Sequence, residues 1–298
     1  MAHEHSHHTT TDYNKAFVIG IALNIAYIII EFVAGIAINS IALIADAGHN
    51  LSDVLGLGLA WGANYLAKTN PTQTRTYGMR KSTVLAALFN AIILLIAVGA
   101  ISIEAIRKFF DPQPVSGTTV MLVAGIGVLI NGATAFLFMS GRKKDINIRG
   151  AFLHMAADAG ISLGVVAAGL VIQLTGWLWP DPVISLVIVI VITAGTWSLL
   201  KESFLLSMDA VPQNMDIEEV KKYLLSLAGV MDAHDLHIWA MSTTEIALTV
   251  HLVMPEMDMD DLFLQKICRE LHDQFGIEHP TIQIEKGSHS ATCAPDNI

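Results

Sequence analysis

Six apolar runs, each about the 20 residues a helix needs to cross roughly 30 Å of hydrocarbon, constrain this chain more than any other feature. They are Ala16–Ile38, Ile41–Leu66, Val84–Ile103, Val120–Ser140, Ala151–Leu174 and Pro182–Leu200. Water is absent from the hydrocarbon, so the backbone must satisfy its own polar groups, and runs of this length predict helices. Composition agrees. Of 298 residues, 53% are apolar and 15% charged, with a mean hydropathy of +0.54, against about 25% charged in an ordinary soluble domain. The second, fourth and fifth runs are rich in Gly and Ala, which let helix backbones approach closely in lipid. The expected architecture is an all-α six-helix membrane bundle with both chain ends on one side of the lipid bilayer.

Basic residues set the orientation. The loop after the second run holds Lys68, Arg75, Arg80 and Lys81, and the loop after the fourth holds Arg142, Lys143, Lys144 and Arg149. The opposite side has only Arg107 and Lys108. Excess Lys and Arg mark the cytoplasmic face, so both termini are expected in the cytoplasm. Met1–Thr11 is polar and leads directly into the first run, so no signal peptide is expected there.

Charge divides the chain in two. Through Met208 there are 12 Lys/Arg against 11 Asp/Glu; from Asp209 onward there are 5 against 16. The later part is acidic and reads as a small soluble domain. Asp216–Leu227 predicts an amphipathic helix with an acidic first turn, Asp235–Ala240 and Glu245–Met254 predict strands, Met259–Phe275 a helix, and Thr281–Glu285 a third strand. This αββαβ order predicts a small α+β cytosolic domain with helices on one face of a sheet, a ferredoxin-like plan lacking its first strand. The expected organisation is a His-bearing flexible N-terminus over 1–14, a six-helix transmembrane domain over 15–208, a cytosolic domain over 209–287 and a loose tail over 288–298. The acidic balance argues against a nucleic-acid partner. Cys268 and Cys293 are the only cysteines, too few for a disulfide framework.

Ionisable residues inside a span cost roughly 2.5–3.5 kcal/mol each on insertion scales and mark function by default. The second run contains His49-x-x-x-Asp53 and the fifth His154-x-x-x-Asp158, the same unit repeated 105 residues later. A spacing of four puts each His and Asp on one helical face, a turn apart. Two such faces turned together offer two imidazoles and two carboxylates, a tetrahedral set that suits Zn²⁺, with Co²⁺, Ni²⁺ and Cu²⁺ also compatible with imidazole. The two carboxylates neutralise the dication. The competing reading, a structural hydrogen bond within each helix, has to explain the same pair twice in a region with no other histidine. Asp46 is three residues before His49 and is left outside the ligand set; Glu31 reads as a bundle hydrogen bond.

Ser40-Ile41-Ala42-Leu43-Ile44-Ala45-Asp46-Ala47-Gly48-His49-Asn50-Leu51-Ser52-Asp53 resembles the second-span signature of the cation diffusion facilitator family. His154-x-x-x-Asp158 resembles its fifth-span half-site, and His234-Asp235-Leu236-His237-Ile238-Trp239 its cytosolic motif. The likeness runs over about residues 15–287. It implies a homodimeric metal/proton antiporter, dimerised through a metallochaperone-like cytosolic domain, with His rather than Asp at position 49 marking the zinc-preferring branch. It also implies a cytosolic metal site at His234, His251 and Glu285. Strand alternation puts His237 and Trp239 on the face opposite His234. His3, His5, His7 and His8 form a candidate zinc trap, and Thr69–Arg80 lacks ligands for a further loop site.

The expected activity is export of Zn²⁺, with Cd²⁺ or Co²⁺ as further cargo, across the plasma or inner membrane in exchange for H⁺. Zinc is then both the transported substrate and a ligand of the cytosolic domain. Histidine titrates near pH 6.5, so His49 and His154 hold protons or metal but not both. No Gly-x-x-x-x-Gly-Lys-Ser/Thr loop occurs, which argues against ATP as the driver, and no His-Glu-x-x-His motif points to an intramembrane protease. Composition leaves a passive channel and a metal sensor open.

Overall fold

The computed structural model describes residues 13–139, 146–255 and 261–287. Six long helices come first: α1 (Tyr13–Ala37), α2 (Ile41–Ala67), α3 (Ser82–Phe110), α4 (Gly117–Phe138), α5 (Ile146–Thr175) and α6 (Pro180–Ser207). Each covers one of the apolar runs to within two residues. Several extend past the expected ends: α3 to Phe110, α5 from Ile146 and α6 to Ser207. Hydropathy marks where lipid stops, whereas the backbone ladder continues into the polar zone. In α3 the added turn carries Arg107 and Lys108, cations favourable at a helix C-terminus. Four stretches are long and apolar enough to span by themselves: Ser82–Phe110, Gly117–Phe136, Phe152–Thr175 and Pro180–Ser207. Helix α2 falls short because Asp46, His49, Asn50, Ser52 and Asp53 interrupt its apolar surface.

The chain forms two compact units. The first runs to Gly58 and resumes over Asn90–Trp197; the second comprises Leu59–Phe89 and everything from Ser198. In the first unit α4 packs along α5 and touches α1. Small residues make the approach possible: a Cβ on Gly117 would lie 2.5 Å from the Gly169 carbonyl, and one on Gly127 would lie 2.2 Å from Tyr27 Oη. Ala42, Leu43, Val120, Ala124, Val165 and Ile188 form part of the shared apolar core.

The α1–α2 turn is clamped from two sides. Asn39 adopts the left-handed conformation at φ 63°, and Ser40 begins the next helix. From the first turn of α6, Asp181 accepts from Ile41 N at 2.9 Å, Ala42 N at 3.4 Å and the Ser40 hydroxyl. A carboxylate on unsatisfied N–H groups caps α2 and complements its dipole. Lys108 is buried and donates to Asn39 O at 2.7 Å. Glu104 pairs with Arg107 at 3.6 Å on the exposed side.

In the second unit, α7 (Ile217–Leu225), β1 (Asp232–Ala240), β2 (Ile246–Val253), α8 (Asp261–Phe275) and β3 (Ile277–Glu285) follow the expected αββαβ order. Asp216 caps α7, accepting from Glu218 N at 2.9 Å. The sheet order is β1-β2-β3, with β1 antiparallel and β3 parallel to the central β2; α8 makes the crossover to β3. Val220, Leu224, Leu248, Leu252, Ile267 and Leu271 pack the helices onto one face. Within the same unit, Lys81 pairs with Asp209 and donates to Ala240 O at 2.9 Å, Arg80 meets Glu245 at 2.9 Å, and Tyr77 stacks edge-on with His279.

One expectation fails in β1. His237 is not opposite His234. The register slips between them, so His234 pairs with His251 and His237 with Thr249, two positions apart on β2. A bulge at Asp235, with φ 52°, inserts the extra residue and returns His237 and Trp239 to the face of His234.

Candidate metal centre

Helices α2 and α5 each contribute one turn to the candidate site. The four-residue spacing brings His49 over Asp53 and His154 over Asp158, and the two turns face each other within the first unit. His49 Nε2 lies 3.2 Å from Asp158 Oδ1, and His154 Nε2 lies 3.4 Å from Asp53 Oδ2. Along each helix, His49 Nδ1 is 3.9 Å from Asp53 Oδ2, and His154 Nε2 is 3.7 Å from Asp158 Oδ2. A tetrahedron with bonds of 2.0–2.1 Å has ligand–ligand edges of about 3.3 Å; the two cross-helix separations are of that size, while His49 turns different ring nitrogens to Asp158 and Asp53. Ligand atoms of His49, Asp53 and Asp158 all lie within 4.8 Å of one another.

Access is graded across the cluster. The Asp158 side chain is 2% exposed, His49 16%, Asp53 33% and His154 44%. Asp53 Oδ2 is itself buried and has no hydrogen-bond partner among the described residues, although two imidazoles flank it. An oxygen in that position is what a cation or a protonated imidazole would satisfy. Beside these turns, Asp46 Oδ2 accepts from Ser162 at 3.0 Å, and Glu31 on α1 accepts from Tyr27 at 2.7 Å. The hydrogen-bonded role expected for Glu31 holds.

On the open face of the cytosolic sheet, His234 Nε2 is 3.2 Å from Glu285 Oε2, and His251 Nδ1 is 3.0 Å from Glu285 Oε1. These three also offer ligand atoms within 4.8 Å. Three donors from three strands suit a borderline cation with its remaining position open. Sequence reasoning missed Asp235, whose carboxylate bridges His237 at 2.9 Å and His251 at 3.5 Å. Strict alternation hides a bulge; the available signal was an Asp between two histidines, a residue that tolerates positive φ. Gln283 donates to Glu285 at 3.2 Å, and Asp261 starts α8. His3, His5, His7, His8, Arg142, Lys143, Lys144 and Cys293 lie outside the described residues.

Comparison with known proteins follows the same division. Residues 17–206 match the model of the cation efflux transmembrane domain, and residues 212–287 that of the cation efflux protein cytoplasmic domain. The metal cation efflux system protein CzcD of Cupriavidus metallidurans is 36% identical over 290 residues, covering 96% of this chain and 90% of that protein. The cadmium, cobalt and zinc/H(+)-K(+) antiporter of Bacillus subtilis is 33% identical over 295 residues, covering 97% and 94%. The zinc transporter ZitB of Escherichia coli is 35% identical over 301 residues, covering 98% and 96%. A solved metal-bound C-terminal domain of the C. metallidurans CzcD transporter is 40% identical, covers 24% of this chain and 99% of that one, and has a TM-score of 0.21.

Apolar helices and an ionisable cluster between two of them define a multi-pass membrane protein that handles a cation. The chain belongs to the cation efflux, or cation diffusion facilitator, family; it is a metal cation efflux transporter and not an enzyme.

Proposed function

We propose that this transporter exports Zn²⁺ from the cytoplasm in exchange for H⁺, with His49, Asp53, His154 and Asp158 as the four ligands of the cargo. The observation that carries this reading is the facing of two His-x-x-x-Asp turns, with imidazole–carboxylate separations of 3.2–3.9 Å. The names of the B. subtilis and E. coli relatives, a cadmium, cobalt and zinc antiporter and a zinc transporter, support zinc with cadmium and cobalt as further cargo. Both termini are assigned to the cytoplasm of a plasma or inner membrane on the distribution of Lys and Arg.

Coupling follows from competition. Metal binding needs neutral imidazoles and ionised carboxylates, so each binding event releases protons, and protonation from the far side expels the metal. Alternate opening of the cluster to the two faces converts this competition into exchange. The four ligands do the holding and the proton transfer; the apolar helices around them keep water from carrying protons past unexchanged.

A second cation at His234, His251 and Glu285 is assigned a regulatory role. His234, His251 and Glu285 would hold that cation, whose charge would offset the Glu285 carboxylate, and the cytosolic domain is assigned as the homodimer contact. The test of the main reading is zinc flux into proteoliposomes under an imposed pH gradient. Flux that needs the gradient and disappears in Asp158→Ala supports it; gradient-independent flux refutes exchange, and zinc binding without flux refutes transport through this cluster.

A further inference from the structure

The bulge in β1 delivers the Asp235 carboxylate to the open face of the cytosolic sheet. Regular alternation would put Asp235 on the face of Ala233, which packs in the apolar core. The inserted residue lets Leu236 pack against that core instead and brings Asp235 out among the histidines. The backbone there is held at φ 52°, a left-handed conformation that is costly for a residue with a Cβ and that persists where the surroundings require it. The two oxygens of Asp235 divide between two rings: Oδ1 lies 2.9 Å from His237 Nε2, and Oδ2 lies 3.5 Å from His251 Nε2.

Glu285 meets the same His251 ring from its other side, with Oε1 3.0 Å from Nδ1. Each nitrogen of His251 therefore faces a different carboxylate, and this decides what each carboxylate can do. Nδ1 is the nitrogen on the side of Glu285, where His234, His251 and Glu285 offer ligand atoms within 4.8 Å of one another. An imidazole cannot turn both nitrogens to one ion, so Asp235, on Nε2, is no fourth ligand beside Glu285. It faces the nitrogen that keeps its proton when Nδ1 holds a metal. A carboxylate in that place fixes the ring's orientation, fixes which nitrogen is free to ligate and makes that nitrogen a stronger donor. His237 steadies the carboxylate in turn by donating to its other oxygen.

The geometry points to Asp235 as the positioning residue of the cytosolic cation site: it takes the Nε2–H of His251 and thereby presents Nδ1 to a cation shared with His234 and Glu285. This role rests on the cation site assigned above to those three residues. It makes a residue that never touches the ion a determinant of how tightly the ion is held, and it gives the left-handed backbone at Asp235 a function.

The experiment uses full-length protein carrying Asp158→Ala, which silences the intramembrane cluster, with nitrogen-15-labelled histidine and zinc alone as the probe. The signals of His251 are identified by their loss in His251→Ala. Asp235→Gly removes the carboxylate and is at ease with the positive φ, while Asp235→Asn keeps an acceptor on the same backbone. With zinc bound, at about pH 8 and so above the histidine range, nitrogen NMR of the parent is expected to show His251 with metal on Nδ1 and a proton on Nε2. Asp235→Gly is expected to weaken cytosolic zinc binding about 10- to 100-fold in dialysis and to populate metal on Nε2 as well; Asp235→Asn recovers part of the affinity. Metal on Nε2 in the parent overturns the role, and so does an affinity within about threefold of the parent in Asp235→Gly. Weaker binding in Asp235→Gly with metal still on Nδ1 alone also overturns it, because mere loosening of β1 would give that result. A parent in which His251 holds no zinc at all refutes the cation site, and the role of Asp235 with it. A parent that holds zinc there and fails either of the other tests refutes the role alone, so the two failures are distinguishable.

Discussion

His49 on α2 and Asp158 on α5 meet at 3.2 Å although 109 residues separate them. Asp158 is also the most enclosed member of the cluster, at 2% exposure. A carboxylate this buried depends on the imidazoles, or on a cation, for its compensation. Asp158→Ala is therefore expected to weaken zinc binding by more than about 100-fold, the upper effect of merely disturbing a ligand's support. Equilibrium dialysis with radioactive zinc reads this; affinity within tenfold of wild type would place the metal elsewhere.

Asp181 caps α2 from another helix, so its removal strands two backbone N–H groups and the Ser40 hydroxyl. Asp181→Ala is expected to cost about 3 kcal/mol, the sum of a lost cap and buried unpaired donors. Asp181→Asn keeps an acceptor and should recover about half. Thermal unfolding of the detergent-solubilised protein measures both, and an unchanged midpoint in the alanine variant contradicts the clamp.

Much of this arrangement was legible in the sequence. The six helices follow from apolar runs, and the repeated His-x-x-x-Asp spacing alone singles out His49, Asp53, His154 and Asp158 as candidates. The clamp was not legible, because Asp181 and Lys108 look like ordinary helix-end charges until tertiary packing brings them to Asn39–Ala42. The bulge at Asp235 was hidden for a different reason. Strand alternation has a strict period of two, and one inserted residue inverts every assignment beyond it, so alternation alone assigns His237 and Trp239 to the wrong face.

Gly127 allows α1 to approach α4, since an added Cβ would fall 2.2 Å from Tyr27 Oη. Gly127→Ala is expected to destabilise by about 1–3 kcal/mol, the usual cost of overpacking. Tyr27→Phe in the same chain should return part of that loss, a non-additivity a double-mutant cycle detects. Strict additivity would mean the two residues do not touch.

The cytosolic cluster should modulate transport without carrying the cargo. His234→Ala combined with His251→Ala is expected to lower zinc flux by roughly two- to tenfold while the intramembrane site binds zinc unchanged. Flux equal to wild type across the whole range of zinc concentrations would remove the regulatory role.

Tyr223 on α7 donates to Glu270 on α8 at 2.7 Å, and burial, followed by the Glu270 carboxylate, raises the phenol's pKa. A raised folded-state value means this contribution is fully present below the ordinary tyrosine range near pH 10 and is lost as pH rises through the folded value. Tyr223→Phe should remove about 1 kcal/mol at neutral pH and flatten the decline above pH 10. An identical alkaline decline in the variant would assign the loss to another group.

The most direct measurement is simultaneous counting of zinc bound and protons released, in weakly buffered full-length protein carrying His234→Ala and His251→Ala. The expected result is about one zinc per chain, with proton release growing as pH falls from 7.5 toward the histidine range near 6.5, and neither signal in the same protein with Asp158→Ala. Zinc binding that releases no protons at any pH in that range would contradict proton–metal competition at His49 and His154.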